Sequence, residues 1–250
     1  MGQLFLKVRI MSHFHNPIMP LTQQLADYFA ARTDHRVPLV DFLRQHVDSP
    51  NEMVSDDIDT YLKNGLKVEI ARCMYEQQGP NEVTSPQNCP PILCCLLPCL
   101  NNTPKMKAYN NNRSDTATVT RFYSTGGGLA KRFLMDSVSL VVGDVITVYD
   151  GDLVPADCRI VRVLNDPMEV DVAVLFGSIG KRQRPMTRTC VGEDSERQGG
   201  STTTDSVLEA ENVLLTGSRV LSGAALCVVT ATGDSTVWST MVRTQTWPPR

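Results

Sequence analysis

The sequence predicts an α+β chain: a small helical N-terminal region followed by a mainly β domain shaped as a distorted jelly roll or barrel. Three observations carry this. Apolar residues recur at helical spacing between Leu21 and Gln78. From Thr116 onward, short β-branched runs alternate with Gly, Pro and Asp turns at intervals of roughly eight to twelve residues. Between the two lies a polar, Asn-rich stretch, Asn101 to Asp115, which marks the domain boundary.

In chain order, residues 1–20 read as an extended or disordered arm. The arm lacks acidic residues and carries Lys7 and Arg9, so a mitochondrial targeting segment is one reading. Its apolar run is too short and too broken by charge for a secretory signal. The helical region spans 21–83. Leu21, Leu25, Tyr28 and Phe29 place a first amphipathic helix over 21–32. A second is expected over Val37 to Val47, with Val40, Leu43 and Val47 on one face and Asp48-Ser49-Pro50-Asn51 ending it. Ser55-Asp56-Asp57-Ile58-Asp59 opens a third, running through Leu62; its carboxylates read more simply as anions at a helix N-terminus than as metal ligands. Val68 to Gln78 forms the fourth, with Ile70, Ala71 and Met74 inward and Gly79-Pro80 as its stop.

Residues 84–115 form a Cys-rich connector. Its apolar run, Pro91 to Leu100, falls well short of the roughly 18–20 residues a membrane-spanning helix needs, and Pro98 interrupts it. Cys94, Cys95 and Cys99 have three readings: lipid attachment at a membrane surface, a metal site, or a buried apolar connector with reduced thiols. No Cys or His pair stands at zinc-finger spacing, so no metal ligands are assigned, and no cofactor motif is present. The eight cysteines are not spaced as a secreted disulfide framework, which points to an intracellular chain. A net charge of −3 and the lack of a basic, aromatic face exclude bulk binding to nucleic acid.

The β domain spans 116–245. Strands are expected at Thr116 to Tyr123, Arg132 to Val138, Val141-Val142, Val145 to Tyr149 and Cys158 to Val163. Gly126-Gly127-Gly128 is no phosphate-binding loop, because no Gly-Lys-Ser/Thr follows it. Gly143-Asp144, Gly151-Asp152 and Pro155-Ala156-Asp157 are read as fold-setting turns: Gly accepts positive φ, Pro fixes φ, and Asp bonds nearby backbone N–H groups. Arg182 to Asp205 is polar and Ser/Thr-rich and reads as a solvated surface insertion.

Val142-Gly143-Asp144-Val145-Ile146, followed by Gly151-Asp152-Leu153-Val154-Pro155-Ala156-Asp157-Cys158-Arg159-Ile160, closely resembles the actuator domain of P-type cation-transporting ATPases. Gly65-Leu66, Ala71-Arg72 and Gly79-Pro80-Asn81-Glu82 resemble the N-terminal region of the same family. Leu208-Glu209-Ala210-Glu211-Asn212-Val213, Gly217, Ser222-Gly223 and Val228 through Thr236 look like the closing half of that domain, and Lys105 to Arg121 resembles the segment leading into it. The similarity covers about residues 64–245.

The resemblance implies an actuator-type fold and also shows two departures. Met168 to Leu175 stands where the family has a strand ending in D-x-S-x-L, and after that strand the family has Thr-Gly-Glu-Ser, whose Glu positions the water that hydrolyses the pump's aspartyl-phosphate. Here Phe176-Gly177-Ser178-Ile179 stands in that place, and a Ser hydroxyl without a partner cannot act as a base near pH 7. Thr216-Gly217-Ser218 looks similar but lies after Glu211-Asn212, in the wrong strand. The second departure is that Pro91 to Leu100 stands where the pumps have a pair of membrane helices, and no DKTGT phosphorylation loop occurs before Arg250.

On this reading the chain is a non-catalytic actuator-like protein. It would be a structural or regulatory subunit on the cytosolic side of a membrane-bound complex, with other protein subunits as partners and no catalytic residue assigned. The alternative is the cytosolic front part of a divergent cation pump that works with separate or missing segments. A hydrolase built on Asp144, Asp152 or Asp157 is weaker, because turn formation explains those residues.

Overall fold

A computed structural model describes residues 37, 39–47, 58–86, 103–124, 128–177, 187–190, 192 and 210–249. The expected arm 1–20, the helix 21–32, Ser55 to Asp57 and Cys94, Cys95 and Cys99 lie outside the described residues.

The helices are α1 (Leu39–His46), α2 (Ile58–Asn64), α3 (Val68–Gln78), α4 (Pro104–Asn111), α5 (Ala173–Phe176) and α6 (Val237–Arg243). The strands are β1 (Leu66–Lys67), β2 (Thr116–Tyr123), β3 (Leu129–Asp136), β4 (Val145–Tyr149), β5 (Asp157–Asp171), β6 (Thr187–Cys190), β7 (Val213–Leu214) and β8 (Arg219–Ala231). They form one sheet in the order β1-β2-β4-β8-β5-β6, with β3 added to β2 and β7 to β5. Every pairing is antiparallel except that of β1 with β2. The two long strands, β5 and β8, pair through several register shifts, and such bulges bend and twist a sheet. The α+β class and the mainly β second part are as the sequence predicts.

Both faces of the central strands are covered, and this follows from their side-chain alternation. Ile146 pairs with Cys227, and both enter the inner core with Val119, Val148, Cys158, Ile160 and Val229. One residue along, Val145 pairs with Val228, and both point the opposite way. There they meet Leu39, Phe42, Leu43, Val47, Tyr61, Leu62, Leu66, Ala71 and Met74 from α1 to α3. The helical region therefore shares a core with the sheet. A large apolar side chain as fully buried as Leu43 or Leu66 contributes about 1.5–3 kcal/mol. Another core, under α4 and α6, contains Val83, Tyr109, Leu175, Trp238 and Trp247.

Helix α3 and strands β2 and β4 have the predicted limits. Elsewhere the structure differs. The buried face of α1 is Leu39, Phe42 and Leu43 followed by Val47, while Val40 is only half-buried, because Phe42 rather than Val40 sets the stripe. Val141-Val142 form a turn whose side chains pack on the helices, not a strand. The polar stretch before Thr116 contains α4: Thr103 caps it through Met106 N, Pro104 opens it, and Met106 and Tyr109 bury one face. Strand β5 ends at Asp171, so Ala173–Phe176 is a helical turn and not strand. Inside the expected surface insertion, β6 extends the sheet, pairing Cys190 with Met168 and burying Cys190.

Candidate functional site

The Gly-Asp turns are joined to the rest of the domain by side chains. Gly143 and Gly151 have φ of 90° and 87°, a region open to Gly and strained for other residues. Asp144 Oδ2 accepts from Val141 N at 2.9 Å, and Asp152 Oδ2 from Tyr149 N at 2.9 Å. Asp144 is fully buried and held in a two-point ion pair: Arg121 Nε donates to Oδ1 at 2.8 Å and Nη2 to Oδ2 at 2.6 Å. Burial pushes the Asp144 carboxyl up, and Arg121 and the Val141 N–H oppose that rise. Tyr61 of α2 donates to Gly143 O at 2.6 Å, so the helical layer grips the same turn.

Asp157 does not close a local turn as expected. Its Oδ1 accepts from Thr216 N at 2.8 Å and Thr216 Oγ1 at 2.7 Å, and its Oδ2 accepts from Val237 N at 2.7 Å. This buried carboxylate joins the start of β5 to the turn before β8 and to the start of α6. It also fixes Thr216-Gly217-Ser218 inside the fold, where Thr216 and Ser218 are buried. Pro155 contributes its carbonyl: Asn81 Nδ2 donates to Pro155 O at 2.9 Å and to Ser137 O at 3.0 Å, while Asn81 Oδ1 accepts from Gly233 N at 2.8 Å. Thr84 then donates to both oxygens of Asp234, from N at 2.8 Å and from Oγ1 at 2.6 Å. Burial raises the Asp234 carboxyl, but the Thr84 and Ser239 hydrogen bonds outweigh it and hold the group below the usual carboxylate range. A cleft of about 710 Å³ lies beside this stitching, lined by Glu82, Thr84, Tyr109, Arg113 and Asp234 among others.

The expected actuator loop begins where β5 ends. Asp171 Oδ1 accepts from Ala173 N at 2.8 Å, which turns the chain into α5. Leu175 is buried in the core under α4 and α6, and Phe176 packs against that core and the inner core of the sheet. Gly177 donates to Ala173 O at 2.8 Å and has φ of 81°, so the Gly kept from the family pattern is used for its conformation. Ser178 and Ile179 lie outside the described residues. From below, Trp247 Nε1 donates to Val174 O at 2.8 Å.

Among the described residues no group of three or more His, Cys, Asp or Glu is arranged to hold a metal ion. Asp144, Asp152 and Asp157 all accept hydrogen bonds that build the fold. The Cys158 thiol is pushed up by its hydrogen bond with Cys227 and by burial, which makes it a poor nucleophile. No described helix is long and apolar enough to cross a membrane. Sequence reasoning missed Arg121, Asn81 and Trp247. Arg121 left one trace, a lone charge in an otherwise alternating strand.

The P-type ATPase actuator domain family matches residues 113–245, more than half of the chain. The chain therefore belongs to the P-type ATPase family through its actuator domain. It is 35% identical over 97 residues to the endoplasmic reticulum calcium ATPase srcA of Aspergillus fumigatus, covering 39% of this chain and 9% of that protein. It is 31% identical over 123 residues to the magnesium-transporting ATPase, P-type 1, of Salmonella typhimurium, covering 49% and 12%. Against the sodium/potassium-transporting ATPase subunit alpha of Drosophila melanogaster it is 24% identical over 252 residues, covering 79% and 23%. The chain thus spans only 9% to 23% of the length of these relatives. A crystal structure of a zinc-transporting PIB-type ATPase in its E2.Pi state aligns with a TM-score of 0.35 at 19% identity, over 55% of this chain and 17% of that one.

Proposed function

We propose that this actuator domain is non-catalytic and serves as a structural or regulatory element of a larger membrane-bound assembly. The observation that supports this is the sequence after β5, Phe176-Gly177-Ser178-Ile179, where the family has Thr-Gly-Glu-Ser. The turn leading into it keeps its Gly in the left-handed conformation, and the fold-setting carboxylates keep their partners. The architecture is retained while the carboxylate that activates water is not, and a hydroxyl cannot replace it as a base. Other protein segments are the expected partners, at the cytosolic face of a membrane. The mitochondrial alternative finds no support in the relatives named above.

A second reading is favoured by coverage. Because the chain spans a small fraction of each relative, it also fits as the cytosolic front part of a divergent cation-transporting ATPase. Affinity recovery of the full chain from its native membranes separates the two. Recovery in a complex with no ATPase large chain is the result expected of a separate subunit. Co-recovery of phosphorylation, nucleotide and membrane domains in stoichiometric amount would establish the pump reading instead.

A further inference from the structure

The segment after α6 folds back at once and inserts an indole beneath the turn that opens the actuator loop. Thr246 N and Trp247 N both donate to Met241 O, at 3.0 and 3.2 Å. Gln245 adopts φ of 60°, a region that a residue with a side chain enters when its surroundings impose it. The result is a fully covered Trp247, 1% exposed, whose ring meets Trp238 edge-on at 5.6 Å; Trp238 in turn lies 5.3 Å from Tyr109 of α4. On its other side the indole N–H bonds Val174 O at 2.8 Å, inside the one-turn helix α5. Two residues after Trp247, Pro249 lies against Gly177: a Cβ built on that Gly would stand 3.4 Å from Pro249 Cβ, so Pro249 packs against the end of the turn.

Helix α5 has only four residues, and so short a helix has little stability of its own. Its position must come from what it packs on. Leu175 supplies one anchor in the core, and the segment at Thr246 to Pro249 supplies the other. We propose that Trp247 is a positioning residue: it ties the chain leaving α6 to the turn at Val174 to Gly177, so that a displacement of one moves the other. Such a coupling lets whatever follows α6 set the placement of Gly177 and of the loop it begins. It rests on the reading of that loop as the actuator loop, and it holds whether or not the loop is catalytic.

Amide hydrogen exchange on the full chain tests this. Leu175, Phe176 and Gly177 donate to Val172 O, Val172 O and Ala173 O, so their amides report opening of this turn. Trp247→Phe keeps an aromatic ring in the core and removes the N–H together with part of the indole. The expected result is exchange at these amides faster by about fivefold, the worth of one net hydrogen bond, with Val145 to Tyr149 in β4 unchanged. Pro249→Ala leaves the core intact and is expected to give a smaller rise, about twofold, at the same amides, which keeps the test available if the Trp variant does not fold. Unchanged exchange at the turn in both variants, or a rise shared equally with β4, would overturn the proposal. Neither result bears on the role of Ser178, which affinity recovery and activity assays address separately.

Discussion

Two turns of this domain are held in opposite ways. The turn at Val141 to Asp144 is fastened by side chains from three directions: the buried ion pair with Arg121, the Asp144 bond to Val141 N, and the Tyr61 hydroxyl on Gly143 O. The turn at Asp171 to Gly177 rests on its own backbone bonds, one Asp171 bond, the buried Val172 and Leu175 with Phe176 packed beside them, and one indole N–H from a distant segment. The first resists displacement because any movement exposes or unpairs a buried charge. The second holds no buried charge, and its polar tie to the distant segment is a single hydrogen bond. The difference separates the part of the motif that makes the fold from the part that a partner segment can reposition.

Substitutions should follow that contrast in order of size. Arg121→Ala strands the buried Asp144 carboxylate and should cost about 3–5 kcal/mol in denaturant unfolding, enough to unfold a large share of the chain at 37 °C. Asp157→Ala removes the acceptor for three buried donors and should cost roughly 2–3 kcal/mol by the same measurement. Tyr61→Phe leaves Gly143 O without its phenol donor and should cost about 1 kcal/mol, loosening the helical layer without dissolving the sheet. A result in which Trp247→Phe costs more global stability than Arg121→Ala would reverse the contrast.

The smallest effect is one of pH. The folded Asp234 carboxyl sits below its ordinary value, so its contribution is present above the unfolded carboxylate pKa and is lost as pH falls through the folded one. Thr84→Val should flatten the loss of stability at acidic pH in that window. Asp144 and Asp157 act with the opposite sign. Their folded values are raised by burial, so their ionisation costs stability as pH climbs from the unfolded carboxylate range toward those raised values. Acid titration of Thr84→Val beside the unmodified chain isolates the Asp234 share.

Elements whose signals are local were legible. Helix α3 carries an apolar stripe and ends at Gly79-Pro80, and β2 and β4 are β-branched runs between turns. What was not legible depends on partners far along the chain. Asn81 joins segments 56, 74 and 152 residues away, and Asp157 reaches 59 and 80 residues ahead, so neither role leaves a spacing to read. Strand β6 is four residues long and gains its identity only by pairing with β5. Of the candidate loop, Phe176 and Gly177 are among the described residues, and the replacement of the family's Glu by Ser178 is read from the sequence alone. Trp247 gave no signal, since a Trp near two prolines reads as a surface turn.

The central claim is that the domain keeps the actuator architecture without its hydrolytic group. The most direct measurement is the ATPase and phosphatase activity of the native complex isolated with the unmodified chain and with Ser178→Ala. Equal activity in the two preparations is the predicted result. An activity present in the first and abolished by Ser178→Ala would contradict it.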